Sequence, residues 1–241
     1  MMNMTFDRNL FSQIGLDSGS LTMLGAVIHS FHEPGEYRGS VSTEGEGQAV
    51  FYISVDKESP AAQVNIDLST LTQPSETAKD CGCGEPQNHF SVNPRGYAVF
   101  HVSGGAGGFH VHVRRARENA EEKIFDSRNL DDGDIFSAVI LRPGTYAVTN
   151  AHTRARAQIV VPYPKVGETP YRPPAPVRVQ ATQEHFEPRR IELHPGQGLL
   201  FECKTPSRIK IELEKADDGP GTPRKPTPRG WRKATLPETD D

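Results

Sequence analysis

The sequence predicts an all-β protein of short strands, and three observations carry that expectation. The 241 residues include 22 Gly and 20 Pro, with only 35% hydrophobic residues, so turns are frequent. Apolar and polar residues alternate in short runs such as Ile135 to Leu141, Thr145 to Thr149 and Ala157 to Val161. Finally, one pattern recurs: a Gly-led turn, an apolar strand with a Phe, a loop and a second alternating strand. Its copies run from Gly47 to Leu68, Gly96 to Val113 and Gly198 to Leu213. A unit that cannot bury its own apolar face must stack on something, so the repeat sets the architecture.

Along the chain, Phe6, Leu10 and Ile14 predict a short helix ending at Gly15. Residues 21 to 31 read as a strand, and His32-Glu33-Pro34-Gly35 as the turn into the next. Residues 1–75 form an N-terminal partial β unit, and 76–87, with Cys81-Gly82-Cys83-Gly84, a polar linker. Residues 88–162 make one complete β-sandwich, in which Arg114 to Glu122, free of Gly and Pro, is read as a short helix. Residues 163–176 are a Pro-rich connector, 177–216 a second partial unit and 217–241 a disordered tail.

Charge and composition narrow the function classes. The net charge of −4 gives no reason to expect nucleic acid as main partner. No run is long and apolar enough for a membrane span. The first fifteen residues lack the features of a signal peptide, and three cysteines make no disulfide framework, so a soluble cytoplasmic protein is expected. Nucleophile elbows, phosphate-binding loops and framed carboxylate pairs are missing from the sequence.

Residues 90 to 161 resemble a cupredoxin-like Greek-key β-sandwich. The resemblance lies in Val92-Asn93-Pro94-Arg95-Gly96-Tyr97-Ala98-Val99-Phe100, in the His110 strand, and in Leu141-Arg142-Pro143-Gly144-Thr145-Tyr146 leading to Asn150-Ala151-His152. It implies a sandwich in which His110 and His152 stand for the two copper histidines. Asn150 stands where the copper-binding Cys belongs, and no Met follows before Val161. Without the thiolate the blue-copper ligand set is gone, which argues against electron transfer. Gly104 and His110-Val111-His112 also resemble the opening of a cupin metal motif, whose Glu and final His have no counterpart at the required spacing.

The histidines offer the sharpest chemistry. Residues i and i+2 of a strand share a face, so His110 and His112 project together. If Ser103 to Gly108 closes a hairpin, His101 falls opposite His110. His101, His110 and His112, with His152, then form a candidate Zn or Cu site with an open position for water. Against it, the outward positions of the sister copies carry ordinary polar residues such as Tyr52, Asn65, Glu202 and Lys210, as a one-side-solvated sheet does. The leading expectation is a non-catalytic binding or assembly module with a protein partner or self-association; the alternative is a small metalloprotein. The linker thiols Cys81 and Cys83 and the Arg/Lys-flanked Trp231 in the tail are minor candidates for metal or partner contacts. Cys203 is expected in the core.

Overall fold

The protein is described from a computed structural model, for residues 14–43, 46–72, 88–117, 120–164 and 174–219. The helix read at Phe6 and Leu10, the Cys81/Cys83 linker, most of the Pro-rich connector and the Trp231 tail lie outside these residues. The described chain is all-β, with a single turn of helix, α1 (Leu68–Leu71), capped by the Asp67 carboxylate. No helix among the described residues is long and apolar enough to cross a membrane.

The strands form three sheets. The first outer sheet joins β6 (His89–Val92), β4 (Glu46–Val55), β3 (Gly35–Thr43), β8 (His110–Arg117) and β9 (Ala120–Asp126), in that order. The second outer sheet joins β1 (Gly15–Asp17), β17 (Ile209–Ala216), β11 (Gly144–Asn150), β12 (Arg156–Val161) and β15 (Arg190–Glu192). The 7-stranded central sheet runs β14 (Phe186–Glu187), β13 (Val177–Ala181), β16 (Gly198–Cys203), β10 (Ile135–Val139), β2 (Gly25–Ser30), β7 (Tyr97–His101) and β5 (Gln63–Asp67).

Both outer sheets cover the same face of the central sheet. Directly paired residues share a face, and Phe100, Val27, Phe136 and Phe201 are paired in succession across β7, β2, β10 and β16. All four are fully buried. Phe100 stacks on Phe125 at 5.2 Å and lies 6.0 Å from Phe51, both from the first outer sheet. At the other end Phe201 packs on Phe136 and Phe186, beside the apolar face that the second outer sheet presents through Tyr146, Val148, Ile159, Ile209 and Ile211.

The described strands fall into two sets with the same pattern of pairing, although not in the unit read from the sequence. Strands β1 to β8 correspond to β9 to β13 and β15 to β17, with β14 additional. Leu16-Asp17-Ser18 and Leu21 match Phe125-Asp126-Ser127 and Leu130; Pro34-Gly35-Glu36-Tyr37 matches Pro143-Gly144-Thr145-Tyr146. The local geometry repeats as well. The Tyr37 hydroxyl donates to the Glu33 carbonyl at 2.6 Å, and that of Tyr146 to Arg142 at 2.7 Å. Gly35 and Gly144 both have positive φ. The turns Asn93-Pro94-Arg95-Gly96 and His194-Pro195-Gly196-Gln197 close with the same backbone bond, and both place their third residue at φ near +75°, Arg95 at 72° and Gly196 at 78°. The repeats meet where β2 and β10 pair around Val27 and Phe136, which are themselves equivalent, so a pseudo-two-fold axis passes through that pair, normal to the sheet.

Each repeat gives its first strand to the other. β9 opens the second repeat and pairs with β8 of the first; β1 opens the first and pairs with β17 of the second. After its Asp-Ser the chain crosses back: Leu21 bridges to Phe109 of its own repeat, and Leu130 to Ser207 of its own.

Several expectations are corrected here. Strands β7 and β8 are not a hairpin, since β7 lies in the central sheet and β8 in the first outer sheet; the same split separates β4 from β5 and β16 from β17. The Gly96 and Gly198 copies are equivalents, but the Gly47 copy corresponds to β12 and β13. The strands of 88–162 are distributed over all three sheets rather than making one sandwich among themselves. The described residues of the stretch read as a helix at Arg114 to Glu122 fall on β8 and β9, which pair Arg114 with Lys123 and Arg115 with Glu122.

Candidate functional site

Residues that the sequence places together are separated by the sandwich. Phe109, Val111 and Val113 point into the core, so His110 and His112 project from the outer face of the first outer sheet. Phe100 points into the core from β7, so His101 projects from the opposite, open face of the central sheet. Stacked sheets lie about 10 Å apart, and His101 faces away from His110 across that thickness. The expected pairing of His101 with His110 is therefore replaced: His101 is paired with Ala26 and Asp67, and His110 with Ser42. His152 lies after β11, where its Nε2 donates to the Arg128 carbonyl at 3.1 Å. Among the described residues no group of three or more His, Cys, Asp or Glu side chains is arranged to hold a metal ion.

The two histidines of β8 have both ring nitrogens committed. Arg128 donates to Nδ1 of His110 at 3.1 Å, which leaves Nε2–H to donate to the Ser42 hydroxyl at 2.6 Å. Arg114 donates through Nε to Nε2 of His112 at 2.7 Å, and Nδ1–H then donates to Ser40 at 3.1 Å. This network assigns neutral rings. Burial, followed by the neighbouring Arg128 and Arg114 guanidinium groups respectively, lowers both pKa values, against the opposing pull of Asp126. A metal would have to displace an arginine from each lone pair and sit among cations.

The repeat shows what these positions do elsewhere in the chain. His110 and His112 correspond to Arg208 and Lys210, and Asp126 to Asp17. In the second repeat Arg208 clasps Asp17 through Nε at 3.0 Å and Nη2 at 2.9 Å, with the Lys210 amine at 3.8 Å. The exchanged strand is thus clasped by ion pairs at Asp17, whereas at the equivalent place the two rings bond to Ser40, Ser42, Arg114 and Arg128. Gly19, the counterpart of Arg128, leaves room for that clasp, because a Cβ there would lie 2.7 Å from Arg208 Nε.

The remaining buried polar groups also serve the fold. The Asn150 amide, standing where a copper Cys was considered, donates to Ser207 at 2.9 Å and accepts from the backbone of His152 and Arg208. His29 and the buried Asp134 are joined at 2.7 Å, and Asp134 also accepts from the backbone of Asp131. Cys203 is buried, as expected, and burial pushes its thiol up to about 12. A pocket between the sheets, lined by Leu16, Leu24, Ile140, Tyr146 and Ile211 among others, holds only about 10 Å³, room for one water.

The most distinctive surface is the uncovered face of the central sheet. Val99, Ile28 and Ile135 form one cross-strand row, flanked by Asn65 on β5 and by Glu202 and Gln180 on β16 and β13. The adjoining row reads Asp67, His101, Ala26, Ser137, Leu200 and Arg178. Ile28, Val99, Ile135, Val139 and Leu200 are all partly exposed, while their strand neighbours Val27, Ala98, Phe136, Ala138 and Leu199 fill the core. An apolar centre with a polar rim on an open sheet is the arrangement of a docking surface. The sequence reading missed it because it took such positions as the polar side of a solvated sheet; apolar residues on both faces of β2, β7, β10 and β16 were the signal.

No family model matches the chain, and no curated protein or solved structure matches it either.

Proposed function

We propose that this protein is a non-catalytic binding or assembly module: a tandem of two cupredoxin-like Greek-key sandwiches that share one sheet and dock through its open face. The observation that carries the reading is the Val99, Ile28 and Ile135 row, with Leu200 in the adjoining row, partly exposed on the face of the central sheet opposite the core. Burying one such side chain fully from water is worth about 1.5–3 kcal/mol, and each of these partly exposed side chains has a fraction of that left to gain on association. Support also comes from the β8 histidines, whose nitrogens are bonded to Ser40, Ser42, Arg114 and Arg128 rather than turned toward a common point. The cupredoxin resemblance enters as architecture, with Asn150 cross-linking β11 to Ser207 in place of the thiolate.

The test is site-specific photo-crosslinking from position 99 in the cells that make the protein, with position 52 on the outer sheet as control. A discrete adduct from position 99, lost on Ile28→Ser with Ile135→Ser, is the expected result. Equal, diffuse labelling from both positions would defeat the reading.

A further inference from the structure

We infer that the partner on the open face of the central sheet is a second copy of this chain, stacked face to face about a two-fold axis parallel to the strands. The inference rests on the binding reading above and adds the identity of the occupant. Two features of the face argue for it.

One is the position of the apolar centre. An isologous interface brings the same patch of both subunits together around the symmetry axis, so the apolar residues must lie at the centre of the patch. Ile28 and Ile135 are cross-strand partners, one residue from the Val27–Phe136 pair that marks the pseudo-two-fold of the monomer. An axis midway between β2 and β10 reverses strand order in the second copy. Ile28 then lies over the partner copy's Ile135 position and Ala26 over its Ser137 position, and on the next strands out Val99 lies over the Glu202 position and His101 over the Leu200 position. Sheets pack about 10 Å apart by interdigitating such side chains.

The other is charge at the rim. The same reversal lays β5 of one copy over β13 of the other. Asp67 and Arg178 occupy the two ends of a single row, about 24 Å apart at the usual strand spacing. They fall opposite each other at both ends of the dimer. Arg178 is well placed to reach across, since its side chain is 75% exposed and, among the described residues, is paired with Glu202 at 3.2 Å. Asp67 is anionic: hydrogen bonds from Ser103 and Ser69 hold its carboxyl below the usual range, outweighing its burial. An axis perpendicular to the strands would instead put β5 over β5 and Asp67 near its own copy, so the charges choose between the two orientations.

Sedimentation velocity on the full chain, over a wide concentration range, tests this. The expected mass is twice the 26.5 kDa of one chain, falling to one chain on dilution. Ile135→Glu and Ser137→Arg, both on the open face and outside the core, should give monomers with unchanged circular dichroism. Arg178→Asp should weaken the dimer about tenfold or more, and adding Asp67→Lys should restore part of the loss. Should Asp67→Lys unsettle α1, the Ser137→Arg result still decides. A wild type that is monomeric throughout, or a dimer indifferent to Ile135→Glu and Ser137→Arg, overturns the inference. A monomeric wild type whose position 99 still crosslinks a different protein overturns it while leaving the binding reading intact.

Discussion

Replacing Ser127 by Ala should cost far more than one surface hydroxyl would. Ser127 is fully buried at the strand crossing, and its Oγ accepts from the Val111 amide at 3.1 Å while its own amide donates to the Val111 carbonyl at 3.0 Å. Val111 is fully buried too, so the substitution leaves its N–H without a partner and without water. Such an orphaned group costs about 1–3 kcal/mol. For a chain of this size, a loss of about 2 kcal/mol lowers the melting temperature by about 4–8 °C. The pseudo-two-fold adds a second arm. Ser18 is equally buried and its Oγ accepts from the Ile209 amide at 3.2 Å, so Ser18→Ala should cost a similar amount. Ser40→Ala, on the outer face beside His112, should stay within about 0.5 kcal/mol. The assay is thermal and denaturant unfolding, with hydrogen exchange at the Val111 and Ile209 amides. Both buried variants matching wild type, or only one of the pair losing stability, would refute the reciprocal exchange of first strands.

Other expectations follow from the same geometry. His110 and His112 have depressed pKa values in the folded state, so the unfolded chain binds protons more readily; the stability they contribute is present above the ordinary value of 6.5 and is lost as pH falls below it. Denaturant titrations at stepped pH should show that loss, and it should shrink in His110→Gln with His112→Gln. Gly39 lies under the Phe51 ring, and a Cβ there would sit 2.0 Å from Cζ; Gly39→Ala should therefore destabilise by about 1–3 kcal/mol in urea unfolding. The Cys203 thiol, buried and raised to about 12, should resist iodoacetamide at mildly alkaline pH until the protein is unfolded, as read by mass spectrometry of its peptide.

Strand positions were legible because burial alternates with a period of two: the run Ile135 to Leu141 contains β10, which ends at Val139, and Ala157 to Val161 falls on β12. Strand partners were not. Phe100 and Val111 each bury one face, and that alternation is the same whether two strands pair edge to edge or face each other across a core. A Gly-rich loop such as Ser103 to Gly108 closes a hairpin or crosses between sheets equally well. That single ambiguity assembled His101, His110 and His112 into a site that the topology takes apart. The true repeat was readable from Asp17-Ser18 with Asp126-Ser127 and from Pro34-Gly35-Glu36-Tyr37 with Pro143-Gly144-Thr145-Tyr146, at one constant offset. The exchange of β1 and β9 was not, because β1 has only three residues and its partner strand lies at the far end of the described chain.

The open face of the central sheet is the centre of this account, and hydroxyl-radical footprinting measures it directly. Ile28, Val99 and Leu200 should be oxidised readily in dilute protein and protected as concentration rises, while Tyr52, 37% exposed on the outer sheet, keeps a constant rate. Equal oxidation of Ile28, Val99 and Leu200 at every concentration would contradict the claim that a second copy covers this face.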